Sequence, residues 1–131
     1  MQISVHAAHA AYQNGQVSSA EPLRIIVLLY EGALRFGRQA LEHFADPASR
    51  GQALGRAHAI VAELLASLDH DRGEAIAGNL DALYAYILDA LTAANVRGDR
   101  RALESVLGLL DTLLDAWRTI EQHGGRGSDP A

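Results

Sequence analysis

The residues able to do chemistry are few, and their spacing gives them little to do together. His6 and His9 stand three apart and could share a metal on a helix, but no carboxylate or thiol joins them. Asp69, His70 and Asp71 are consecutive in a stretch that reads as a corner, where neighbouring side chains splay apart into solvent. No serine lies in a Gly-x-Ser-x-Gly turn, and no Glu-x-x-His pair is present to build a carboxylate-bridged metal site in a helical bundle. Gly124-Gly-Arg-Gly127 follows no strand and opens no helix, so it is not a phosphate loop. The absence of cysteine removes disulfides and thiolate ligands. The expectation is a protein that is not an enzyme, with no catalytic residue, no metal and no cofactor.

What remains is a polar and aromatic set inside an otherwise apolar stretch, Gly78 to Ile87. Asn79 is a poor helix former that brings an amide to satisfy. Tyr84 and Tyr86 are two apart, about 200° around a helix, so one seam cannot take both. Either Asn79 and one tyrosine are simply exposed, or they border an interaction surface.

These residues must be positioned by helices. In 131 residues, 49% apolar, there are only one tryptophan, four tyrosines and two phenylalanines, and alanine and leucine dominate. That length suits a single domain with its own core. The net charge of −5 disfavours nucleic acid as a partner, because phosphate neutralisation needs a concentrated basic surface. No run is long and apolar enough to span a membrane, and residues 1–11 do not read as a secretory signal, so a soluble, cytoplasmic protein without membrane insertion is expected.

The most apolar stretch starts near Ala20. Leu23, Val27, Tyr30, Leu34, Gly37, Leu41 and Phe44 recur at steps of four and three, and Ile25, Leu29, Gly32 and Phe36 add a second seam. Such a helix, expected over 20–44, is either central to a bundle or keeps a face for something outside the chain. Asp46-Pro47 restarts the chain, and a second helix is expected over 47–68 on Leu54, Ala57, Val61, Leu64 and Leu68. The third spans 74–96, with one apolar direction through Ile76, Leu83 and Ala90 and another through Leu80, Tyr84, Ile87 and Leu91. Gly98 ends it, Asp99 caps the next, and the fourth runs to Gln122 on Leu103, Val106, Leu110, Leu113, Trp117 and Ile120. Residues 1–17 carry no helical period and are expected as a mobile arm; 124–131 are expected as a disordered tail. The fold class is therefore all-α, an antiparallel four-helix bundle over residues 18–123.

Several stretches, in order, resemble the FliS family of flagellar secretion chaperones. They are Tyr12 and Val17; Ala20-Glu-Pro22 leading to Leu29-Tyr-Glu-Gly-Ala-Leu34; Glu63-Leu64 with Ser67-Leu-Asp69; Ile76-Ala77 with Asn79-Leu80, Leu83-Tyr84 and Tyr86; Ala94-Asn95 and Asp99; and Leu109-Leu110 through Asp115-Ala-Trp117. Each piece is short; their order and spacing across residues 12–120 carry the likeness. The chain departs from the family pattern at Ala75-Ile76 after Gly73-Glu74, at Asp89-Ala90 and at Ala85 between the tyrosines.

The resemblance implies a four-helix bundle without catalysis. It would bind the disordered C-terminal segment of flagellin in apolar grooves, prevent premature polymerisation and aid delivery to the flagellar type III export apparatus. The partner-binding residues it suggests are Tyr12, Val17, Leu29, Tyr30, Leu68, Ile76, Asn79, Leu80, Tyr84 and Ile87. Within the third helix, the direction carrying Asn79 and a tyrosine, with Leu80, Tyr84 and Ile87, is expected to face the partner. Contact with the export gate, a weak homodimer, and whether the arm covers the groove are left open. The competing class is a four-helix regulatory or adaptor protein that binds a folded partner.

Overall fold

The computed structural model describes residues 20–127, with side chains described for 22–69 and 75–123. The expected arm, with Tyr12 and Val17, and residues 128–131 lie outside the described residues. Four helices follow one another: α1 Ala20–Glu42, α2 Pro47–Ala66, α3 His70–Arg97 and α4 Arg100–Gly127. No strand occurs among the described residues. Short connections force neighbouring helices antiparallel, as expected for an up-and-down bundle.

The joints follow capping chemistry. Asp46, extended at φ −96° and ψ 104°, accepts from the Ala48 N–H, and Pro47 opens α2 without losing a needed donor. The hydroxyl of Ser49 donates to Asp46 at 2.8 Å, and chiefly this bond holds the carboxyl below the usual carboxylate range. Gly98 closes α3 with φ +65°, where a side chain would strain the backbone, and Asp99 accepts from the Ala102 N–H at 3.1 Å.

Several helix ends differ from expectation, among them that of α2, which stops at Ala66 rather than Leu68. α1 stops at Glu42, before Phe44, because the chain turns through residues 43–45 to reach the Asp46 cap. α3 starts at His70 rather than Glu74, so the corner is confined to residues 67–69 and Asp71 to Gly73 belong to the helix. α4 continues through Gly127 rather than ending at Gln122. The apolar period reports what a helix buries, whereas its ends depend on backbone hydrogen bonds that continue past the last buried residue.

α1 and α3 each pack against both α2 and α4, which places α1 and α3 on one diagonal; α3 and α4 make the sparsest of the four contacts. The core is Val27, Tyr30 and Leu34 from α1, Leu54, Val61 and Leu64 from α2, Tyr84, Ile87 and Leu91 from α3, and Leu103, Val106 and Leu110 from α4. Both seams of α1 are covered by its own chain. Ile25, Leu29 and Phe36 pack on the core cluster, and a Cβ at Gly32 would lie 3.3 Å from Ile60 of α2. The second seam is therefore a helix–helix contact. On the other side of α1, Gly37 admits Leu107 of α4 so closely that an added Cβ would overlap its Cδ2.

Candidate functional site

α3 holds most of the expected partner-binding residues, and the structure divides them. Tyr84 and Ile87 are fully buried, with Leu91 and Ala94 on the same side. The direction expected to face a partner therefore faces the bundle, because only that side meets both α2 and α4. Tyr30 on α1 is also fully buried. Leu29, Leu68 and Leu80 are half-buried and packed against the core. Of the ten suggested residues, Ile76 (68% exposed) and Asn79 stand open to solvent. Tyr86, absent from that set, is 54% exposed and is the tyrosine of α3 that a partner can reach.

The buried tyrosines form a cluster of their own. Their hydroxyls are 2.6 Å apart, with ring centroids at 6.3 Å, so the pair bridges the diagonal between α1 and α3. Trp117 of α4 joins it, its ring centroid 6.4 Å from that of Tyr30. Burial raises both tyrosine pKa values above the ordinary range, and at Tyr30 the hydrogen bond with Tyr84 offsets this only in part. Both phenols stay neutral and act as packing residues with a satisfied polar end.

Of the large apolar residues exposed among the described ones, Ile76, Tyr86 and Ile120 fall on one flank, while Leu28 of α1 and Val96 at the end of α3 lie elsewhere. Thr92 and Asn95 of α3 face α2, lining a hollow with Gly51 and Gly55, and Arg50 donates to Asn95. Helical period puts Asn79, Leu83, Tyr86 and Ala90 on the opposite flank, toward α4, with Ile76 at its edge. Counting outward from the Gly98–Asp99 joint, an antiparallel register brings Ile76 level with Ile120, Leu80 with Trp117 and Leu83 with Leu113. Ile120 is 47% exposed, and Leu83, Leu109, Leu113 and Trp117 are half-buried. The result is an apolar strip along the α3–α4 flank, where the helices are least closely joined.

The α1–α4 flank has the opposite character. Arg118 lies 2.7 Å from Glu31, Arg24 3.5 Å from Glu121 and Arg38 3.2 Å from Asp111, a ladder of ion pairs closing that side. Among the described residues no cluster of three His, Asp or Glu side chains could hold a metal ion, and no helix is long and apolar enough to cross a membrane.

The family model described as flagellar protein FliS matches residues 4–124. The chain belongs to the FliS family. It is 41% identical over 108 residues to the flagellar secretion chaperone FliS of Salmonella typhimurium, covering 79% of each chain. It is 39% identical over 108 residues to flagellar secretion chaperone FliSB of Pseudomonas aeruginosa, covering 80% of this chain and 85% of the relative. With the Bacillus subtilis flagellar secretion chaperone FliS it shares 29% identity over 134 residues, 95% of this chain and 98% of the relative. These matches agree with the resemblance read from the ordered pieces. A FliS-family chain here presents Ile76, Tyr86 and Ile120 on the strip. The 200° separation of Tyr84 and Tyr86 signalled that one tyrosine would be exposed, but apolar neighbours on both sides hid which.

Proposed function

We propose that this protein is a flagellar export chaperone that holds the disordered C-terminal segment of flagellin. The segment lies as helical pieces along the α3–α4 strip, with Ile76, Asn79, Leu80 and Tyr86 contributed by α3 and Leu113 and Ile120 by α4. Capture keeps the subunit from polymerising in the cytoplasm and leaves it unfolded for the type III export apparatus. The observation that carries this reading is the strip itself: exposed apolar side chains along one flank of a FliS-family bundle otherwise well packed. Amphipathic helices bind in this way, adding their apolar face to a groove without chemistry.

Calorimetry of the full chain with a synthetic peptide of the flagellin C-terminal segment from the same source tests it. A one-to-one complex that Ile76→Asp weakens at least tenfold is expected. Absence of binding by the unsubstituted protein would overturn the proposal.

A further inference from the structure

Phe36 of α1 is half-buried, and two guanidiniums stand over its ring. Arg35 of α1 lies 5.4 Å from the ring centre and Arg56 of α2 lies 5.5 Å from it. Both arginines are exposed, and among the described residues neither makes a hydrogen bond or an ion pair. An aromatic ring attracts the charge without accepting the in-plane N–H groups, so each fork keeps its donors for a partner. The other arginines of these two helices are engaged. Arg24 and Arg38 close the ladder with α4, and Arg50 reaches the Phe44 and Asn95 carbonyls.

No carboxylate of the chain answers the two free forks. Acidic residues outnumber arginines by 16 to 11 overall, yet none occurs over 32–41 of α1 or 47–62 of α2. The closeness of Gly32 to Ile60 and of Phe36 to Arg56 lays these stretches side by side, antiparallel. The same register brings Gln39 and His43 of α1 opposite Ser49 and Gln52 of α2, in a hollow that Arg56 also lines. Acids bound the patch at its ends: Glu31 and Glu63 at one, Glu42 and Asp46 at the other. Glu31 is held by Arg118, and Asp46 by the start of α2. The patch lies on the α1–α2 flank, across the bundle from the α3–α4 strip.

We propose that Arg35 and Arg56 form a docking site for an acidic stretch of a second protein, with carboxylates about one helical turn apart. Each guanidinium takes one carboxylate through paired N–H donors. The amides of Gln39 and Gln52 meet polar groups beside them, and the methylene stems of the acids lie on the Phe36 ring. Charge complementarity selects this occupant, because two unmatched cations beside an open ring suit carboxylates carried on hydrocarbon. A nucleic-acid duplex needs a longer basic track, and its phosphates would meet a chain of net charge −5. Since the two flanks are opposite, the acidic segment and a helix on the strip can be bound together. The proposal therefore goes beyond flagellin capture and does not depend on it.

The test is a titration of the full, nitrogen-15-labelled chain at low salt with a synthetic helical peptide bearing glutamates one turn apart. Its glutamine counterpart serves as the control. The side-chain N–H signals of Arg35 and Arg56 are expected to shift with the glutamate peptide alone, and the shifts to vanish as salt is raised to about 0.5 M. Arg35→Gln and Arg56→Gln should each weaken binding about three- to tenfold, and the double variant more. Arg101→Gln, exposed on α4, should not weaken it. Both patch variants should retain the helical signal and bind the flagellin C-terminal peptide as the unsubstituted protein does. Saturation with that peptide should leave the acidic peptide's affinity unchanged. Unmoved signals at both arginines, equal shifts with the glutamine peptide, or competition from the flagellin peptide would overturn the proposal. So would a short DNA duplex that binds the same two arginines more tightly than the acidic peptide.

Discussion

The hydroxyls of Tyr30 and Tyr84 meet at 2.6 Å inside the bundle and tie together the two helices that stand diagonally across it. Removing one hydroxyl leaves the other buried with a partner lost, whereas removing both leaves two compatible rings. Tyr30→Phe and Tyr84→Phe are each expected to cost about 1–3 kcal/mol, and the double variant clearly less than their sum. Urea unfolding of all four proteins measures this coupling. Strict additivity would show that the bond contributes nothing to stability.

The same pair sets the alkaline limit of the fold. Both folded-state pKa values are raised by burial, so the folded protein keeps protons that the unfolded chain releases near pH 10. The unfolded state then binds fewer protons, and stability falls as pH rises. The contribution is complete below about pH 10 and is lost above it at about 1.4 kcal/mol per pH unit for each tyrosine. Unfolding midpoints measured from pH 8 to 11 should fall steeply above 10, and less steeply in Tyr30→Phe. A flat profile would contradict the assignment.

Arg50 should prove hard to replace. Its guanidinium donates to the Phe44 carbonyl at 2.8 Å and the Asn95 carbonyl at 3.0 Å, and lies 4.8 Å from the Phe44 ring centre. It thereby ties the α1–α2 turn to the end of α3. A lysine has one ammonium and no planar fork, so Arg50→Lys is expected to lose about 1–2 kcal/mol despite keeping the charge. Thermal melting of Arg50→Lys that matched the unsubstituted protein would disprove the clamp.

Glycines on α1 and α4 should respond with opposite signs. At Gly108 an added Cβ meets nothing within 4 Å, and alanine there is expected to stabilise by about 0.5–1 kcal/mol through helix propensity. At Gly37 the same change drives into Leu107, and overpacking of about 1–3 kcal/mol outweighs the gain. Equal shifts in melting temperature would mean that α1 and α4 are not in such close contact.

Much of the architecture was legible because each helix carries its own apolar period and each joint its own capping residue. Asp46-Pro47 and Gly98-Asp99 fall where the turns are. The start of α3 was not, since residues 70–73 are helical without the period that reveals burial. Seam assignment failed for another reason. A helix beside two neighbours and a partner has apolar residues over more than half its circumference, and period alone does not say which third faces outward. Leu80, Tyr84 and Ile87 look the same in sequence whether they meet α2 and α4 or a bound segment. The second seam of α1 posed the same problem and is resolved by Ile60 lying over Gly32.

Tyr84 and Tyr86 offer the sharpest separation of core from surface, because they are the same residue type two positions apart. Tyr84 is 1% exposed and Tyr86 is 54% exposed. Tyr84→Ala opens a cavity and strands the Tyr30 hydroxyl, so a loss of about 3–5 kcal/mol in stability is expected. Its affinity for the flagellin C-terminal peptide, corrected for the unfolded fraction, should hold. Tyr86→Ala removes no buried contact and should leave the melting temperature almost unchanged. It should remove roughly 1–2 kcal/mol of binding, a five- to thirty-fold weaker complex. Circular dichroism melts and calorimetric titrations on both variants supply the four numbers. Should Tyr86→Ala bind as tightly as the unsubstituted protein while Tyr84→Ala does not, the α3–α4 flank is not the docking surface.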